Sequence, residues 1–121
     1  MKPQQRIVWF SAVSIILILF GILYAIWGLD ILPVQRDALL QWESALYGAI
    51  MMGWGTTLFF VGRHALQRND PALMKGLLYG ITVWLVVEAL ASAVLGVWFN
   101  VGVDAGVLAL FSVPLIIGIR K

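Results

Sequence analysis

From Ile7 to Gly28 the chain runs for 22 residues without a charged side chain, and that length constrains the fold more than any motif does. A bilayer core about 30 Å thick is crossed by roughly 20 apolar residues rising 1.5 Å each in a helix. Three further stretches have the same character: Ser44 to Val61, Ala72 to Phe99 and Val103 to Ile119. Only Lys75, Glu88 and Asp104 interrupt them. Hydrocarbon offers the backbone no hydrogen-bond partner, so each stretch must pair its own N–H and C=O groups as a helix. The expectation is an all-α polytopic membrane protein: one membrane domain over residues 1–121, a four-helix bundle with spans at 7–28, 44–61, 72–99 and 103–119.

Composition narrows the function classes. Hydrophobic residues make up 62% of the chain and charged ones 12%, with a mean hydropathy of +0.97. Soluble domains run near 45–50% apolar and about 25% charged. With no cysteine and a single histidine, His64, zinc sites, iron–sulfur clusters, thiol chemistry and bis-His haem ligation lack their ligands. No cofactor or metal is expected. Nucleic acid is excluded as a partner, and no nucleophile–base–acid set or phosphate loop argues for an enzyme. The first span exceeds the usual 7–15-residue core of a signal peptide and ends without an Ala-x-Ala-like site, so it is read as retained.

Charge sets the expected orientation. Lys2, Arg6, Arg63, Arg68, Lys75, Arg120 and Lys121 all fall on one side of the four spans, leaving Arg36 on the other. Under the positive-inside rule both termini are cytoplasmic, in an inner (cell) membrane of bacterial type. Asp30, Asp37, Glu43 and Asp104 then face outward, with Asp70 inside. Asn69-Asp70-Pro71 supplies a cap acid and an N1 proline for the third span. Residues Ile31 to Trp42 suit a short helix lying on the outer surface.

Glu88 is the residue the membrane must accommodate, because an ionised group at a helix centre costs roughly 2.5–3.5 kcal/mol on insertion scales. Trp84, Glu88, Ser92, Gly96, Asn100 and Asp104 follow one another at a spacing of four. Such a row winds slowly round a helix, so that Trp84, Glu88 and Ser92 share a face and Asn100 drifts off it. In the second span Glu43, Tyr47, Ile50, Trp54, Thr57 and Val61 recur at heptad-like intervals and are read as its inward face. Trp54 lies eleven residues below Glu43, and Glu88 eleven below Phe99, which places both about 16 Å deep.

These stripes define a polar pocket open to the outer face. Glu43, Asn100 and Asp104 form its mouth; Tyr47, Trp54, Thr57, Trp84, Ser92 and Glu88 lie deeper, and Ser112 comes within reach. A neutral Glu88 could there donate a hydrogen bond or exchange a proton. The plainer reading is a protonated acid bonded to a neighbouring helix, worth at most about 1–2 kcal/mol. Tyr47 and Trp54 are more often packing residues than ligand contacts. His64, beside Arg63, is an ordinary interfacial imidazole. Pro114 frees the Leu110 carbonyl, which Ser112 is placed to satisfy.

Glycine serves close helix approach. Gly76-x3-Gly80, Gly102-x3-Gly106 and Gly48, Gly53 and Gly55 mark such faces, with Ser14, Gly21, Ala25 and Gly28 opposite on the first span. They suit contacts within the chain or between copies, making a homo-oligomer or a larger membrane complex the expected partner alongside the lipid bilayer.

The run from Leu46 to Leu115 resembles a group of uncharacterised small bacterial four-span membrane proteins, loosely DoxX-like in size and layout. The resemblance rests on Gly53-Trp54-Gly55, on the row from Trp84 to Asp104 and on Pro114-Leu115. It implies the four-span fold and points to the same residues without supplying a substrate. The functional expectation is a membrane protein that binds a small or lipid-like ligand, or a partner subunit, through the pocket centred on Glu88. The alternatives are a small proton- or cation-coupled transporter using Glu88, or an accessory subunit of a membrane lipid or quinone enzyme.

Overall fold

A computed structural model describes residues 1–27 and 38–121, with backbone alone at 38 and 39. Four helices long and apolar enough to cross a membrane run through it, over Pro3–Trp27, Leu40–Arg68, Pro71–Val94 and Trp98–Ile119. The chain is therefore an all-α integral membrane protein. Its helices are α1 (Pro3–Trp27), α2 (Ala38–Thr57), α3 (Arg63–Arg68), α4 (Pro71–Val94) and α5 (Trp98–Ile119), with a π-helical turn, Leu58–Gly62, joining α2 to α3. Residues 28–37, including Gly28, Asp30, Arg36, Asp37 and most of the expected surface helix, lie outside the described residues. Ala38 to Trp42 belong to α2.

The span boundaries shift from those expected. The second span reaches Arg68 because α2, the π turn and α3 are continuous. It ends where Asn69 takes a left-handed conformation (φ 51°) and Asp70 caps α4, accepting from the Ala72 and Leu73 amides at 3.0 Å. The third span stops at Val94, not Phe99, and the fourth begins at Trp98, not Val103. Gly96 is the cause. At φ +76° it sits just past the end of α4, with its amide on Ala93 O (3.1 Å) and the Val97 amide on Ser92 O (2.7 Å). That pair of bonds is the glycine-terminated helix ending in which the last free carbonyls are satisfied by a tight reversal.

Two hairpins result. In the first, α1 and α2 touch along backbone. A Cβ added at Gly48 would lie 2.5 Å from Gly21 O, and one at Gly21 would lie 2.8 Å from Gly48 O. Gly55 meets Ile18 N and Ser14 O at 3.2 and 3.3 Å in the same sense. Ser44 Oγ donates to Tyr24 O (3.0 Å) near the far end.

The most closely packed face of the second span is thus Gly48, Met51, Gly55 and Leu58, continued by Gly62 against Phe10; of the expected stripe Tyr47, Trp54 and Val61 also pack on the core, and Glu43, Ile50 and Thr57 do not. Ile50 is 66% exposed, and Glu43 and Thr57 are exposed too. Lipid accepts Ile50 at no cost, so close backbone approach, not apolarity, decides which face turns inward.

The second hairpin, α4 with α5, packs through side chains. Its Gly76, Gly102 and Gly106 have nothing within 4 Å of where a Cβ would stand, as does Gly53 on α2, and Gly80 meets only the Trp54 ring. Among the described residues the expected close-approach motifs of these two spans are therefore not used for close approach.

The hairpins are pinned together at the end carrying both termini. Phe10 and Phe111 stack edge to face, with centroids 5.2 Å apart. Trp9 Nε1 donates to Leu110 O at 2.8 Å, filling the acceptor that Pro114 frees. The expected donor was Ser112; a long side chain from the neighbouring helix supplies the bond instead. Arg6 lies buried beside them at 1% exposure, its Nη1 3.1 Å from where a Gly118 Cβ would stand. The sequence places it among the surface charges, whereas here Nε and Nη1 are enclosed without a partner.

Candidate functional site

Beyond the Phe10–Phe111 contact, α1 and α5 part and leave a pocket of about 360 Å3 bounded by α1, α2, α4 and α5. It extends from Phe111 and Val13 towards Tyr24 and Phe99. That is eleven residues of α1 and twelve of α5, or about 16–18 Å at 1.5 Å per residue. The walls are Ile16, Leu17, Phe20, Leu23, Met51, Leu85, Val103 and Val107 with their neighbours. Polar groups enter at the far end, from Tyr24, Tyr47, Glu88, Asn100 and Asp104, with the Trp84 indole one turn deeper.

The reversal at Gly96 builds that polar end. Asn100 stands in the first turn of α5, folded back on α4, where a single continuous helix would have carried it out of reach. Its Nδ2 donates to Ser92 Oγ at 2.9 Å and lies 3.3 Å from Asp104 Oδ2 and 3.4 Å from Glu88 Oε1. One amide, with two hydrogens, thereby serves three acceptors on two helices. From α2, the Tyr47 hydroxyl donates to the same Glu88 Oε1. Tyr24 on α1 meets the Tyr47 ring edge to face, with centroids 5.6 Å apart. All four long helices contribute. Glu88 Oε2 remains, enclosed and without a hydrogen-bond partner.

Of the residues read from the sequence as pocket-forming, Tyr47, Trp84, Glu88, Asn100 and Asp104 line it, and Ser92 sits behind Asn100 as its acceptor. Asp104 is no rim residue, being only 3% exposed. Trp54, Thr57 and Glu43 are elsewhere. Trp54 packs on the core with its ring 3.7 Å from the Gly80 position and its Nε1 unpartnered. Thr57 Oγ1 bonds back to Gly53 O (3.0 Å), and Glu43 is exposed.

Trp54 and Glu88 do not share a depth, for the same reason that the span boundaries shift. Glu88 is six residues from the end of α4, about 9 Å, while Trp54 is fourteen past Leu40, about 21 Å, so the two are not level. Ser112 follows the pocket-floor residue Phe111 without lining the space, and His64 is exposed.

Tyr24 and the wall of α1 were not anticipated. The available signal was Gly96: read as a helix stop, it turns the four-spaced row into a hairpin and opens room for α1 opposite.

Among the described residues no group of three or more His, Cys, Asp or Glu side chains could hold a metal ion. The site is a long apolar slot closed at one end by hydrogen-bonding groups, suited to holding an amphipathic molecule by its head. No family model, curated protein or solved structure matches the chain, so the chemistry rests on these residues alone.

Proposed function

We propose that the protein binds a small, lipid-like molecule within the membrane. Its head would sit on Tyr47, Glu88, Asn100 and Asp104, and its apolar body would lie between α1 and α5. The observation that carries this reading is the distribution of polarity in the pocket: about 360 Å3 of space with hydrogen-bonding groups confined to one end. Ligand sites typically have this volume and this mix of apolar wall and few converging polar groups. The positive-inside rule supports an orientation with both termini cytoplasmic in an inner-type membrane. Lys2, Arg63, Arg68, Lys75, Arg120 and Lys121 remain exposed at that end even though Arg6 is buried. The polar head would then lie in the outer leaflet half. The unused glycine faces of α4 and α5 leave room for a second copy or a partner helix.

Val103 lines the pocket and is 52% exposed, so Val103→Trp narrows the entrance without disturbing the packed core. Native mass spectrometry from a mild detergent should show a retained amphiphile on the natural protein and not on this variant. Identical spectra, with both proteins bare, would remove the ligand reading. A proton-coupled transporter is the second reading, favoured by Glu88 and Asp104 sharing one amide donor. It predicts proton flux in proteoliposomes that Glu88→Gln abolishes.

A further inference from the structure

The head end of the pocket is rich in acceptors and short of donors. Glu88 and Asp104 present two carboxyl groups; the hydrogens of Tyr47 and Asn100 are already committed to Glu88 Oε1, Ser92 and Asp104, and the other donors of the lining, the Tyr24 hydroxyl and the Trp84 indole N–H, do not reach Glu88 Oε2. Glu88 Oε2 is enclosed, and no hydroxyl, amide or indole group of the protein donates to it. Among the described lining residues there is no lysine, arginine or histidine to complement the acids.

A second observation points the same way. Tyr24 and Tyr47 line this same end, with Trp84 one helical turn deeper, and aromatic rings in a desolvated site attract cations through their negative faces. The sides of the slot are apolar and reach the surroundings: Ile16 and Phe20 on α1 are each 52% exposed, as is Val103 on α5.

We infer that the occupant is a cationic amphiphile, a protonated amine on an apolar tail, entering sideways between α1 and α5. This rests on the ligand-binding reading above and adds the chemistry of the head. An ammonium supplies up to three N–H donors, enough for Glu88 Oε2 and for Asp104, and its charge offsets a carboxylate that has no counter-ion in the protein. With the second acid holding its proton, the loaded site is neutral. A phosphate or carboxylate head would instead set negative charge against two acids. A neutral alcohol brings one donor and no charge.

The test uses the full chain in neutral nanodiscs, titrated with dodecylamine, dodecanol and dodecyl sulfate, with Val103→Trp measured alongside to subtract partition into lipid. Binding above that baseline should be at least tenfold tighter for dodecylamine than for dodecanol, and absent for dodecyl sulfate. The double variant Glu88→Gln, Asp104→Asn should bind amine and alcohol alike. If the natural protein binds the alcohol as tightly as the amine, the cationic head is wrong and the amphiphile pocket stands. If none of the three binds above the Val103→Trp baseline, the pocket reading falls with it. The comparison between amine and alcohol on the natural chain decides the question even where the double variant does not fold.

Discussion

The two hairpins solve the same packing problem in opposite ways. Between α1 and α2 the close contacts are made by backbone, where Gly21, Gly48 and Gly55 let the helices approach, with the Tyr24 and Tyr47 rings meeting at the far end. Between α4 and α5 only Gly118 comes close, to the flexible Met74 side chain, while Gly76, Gly102 and Gly106 face open space, and the far ends are joined by the Asn100 amide reaching Ser92, Glu88 and Asp104. In lipid, burying a leucine gains little, so contact comes from close approach or from polar groups that have nowhere else to bond. The first hairpin uses the former and becomes a rigid wall. The second uses the latter, and the groups that hold it together are also those that face the pocket. Scaffold and site are thus divided between hairpins along the chain.

The sharpest way to break that contrast is to give the same side chain to a glycine in each. Gly48→Leu forces a Cβ to within 2.5 Å of Gly21 O, with backbone on both sides that cannot step aside. Overpacking a tight interface costs about 1–3 kcal/mol and more where nothing flexible can yield. The expected loss is at least about 3 kcal/mol, with much of the protein failing to fold. Gly76→Leu, in open space on α4, should stay within about 0.5 kcal/mol of the natural chain, as surface substitutions usually do. Unfolding by SDS titration reads both, and equal losses would mean that the first hairpin is not held by backbone contact.

The polar hairpin should respond to its amide. Asn100→Leu keeps the volume and leaves Ser92, Glu88 and Asp104 without their shared donor. A buried acceptor left unpaired costs about 1–3 kcal/mol; the expected loss is about 2 kcal/mol, read by the same titration. Glu88→Gln should cost little, since its amide oxygen still accepts from Tyr47. A harmless Asn100→Leu would show that α4 and α5 pack without the network.

Much of this division is legible in the sequence. The number of spans follows from charge-free length, and Asn69-Asp70-Pro71 marks the start of α4 by its capping chemistry. Tyr47, Trp84, Glu88, Ser92, Asn100 and Asp104 stand out as polar or amphipathic residues at helical spacing. What could not be read follows from one glycine and one property of the solvent. Gly96 within an apolar run looks like a packing residue, and only a positive φ makes it a reversal. Without it, Asn100 and Asp104 belong to the wrong helix face and Trp54 seems level with Glu88. On the second span the expected stripe holds for Tyr47, Trp54 and Val61 and fails for Glu43, Ile50 and Thr57, because in lipid the small residues Gly48 and Gly55, more than apolar ones, set the face of closest approach. Arg6 carries no signal of burial, because a basic residue before a span is ordinarily a surface charge.

Arg6 bears on the end where the hairpins meet. Its guanidinium is buried at 1% exposure with Nε and Nη1 unpartnered, an arrangement that charge does not stabilise. Replacing buried ionic groups by apolar residues of similar volume is often neutral or stabilising by 1–4 kcal/mol. Arg6→Met should therefore stabilise the protein by about 1 kcal/mol, visible as a raised melting temperature in detergent. A drop of similar size would mean that the guanidinium finds acceptors on the ends of α3 or α5.

An effect of similar size and opposite sign is expected at the clasp itself. Trp9 Nε1 donates to Leu110 O at 2.8 Å, and no backbone amide can take its place, because the residue four positions on is Pro114. Trp9→Phe keeps an aromatic ring against α5 and removes only the donor. Interhelical bonds of this kind average about 0.6 kcal/mol in membrane proteins, and the orphaned carbonyl raises the expected loss to about 1 kcal/mol. The double variant Trp9→Phe, Pro114→Ala separates the bond from the ring, since an alanine amide at 114 can return to Leu110 O. Stability should recover in the double variant, with Pro114→Ala alone changing little. Without that recovery, Trp9 joins the hairpins by its surface, and the parting of α1 from α5 that opens the pocket is set by Phe10 and Phe111 alone.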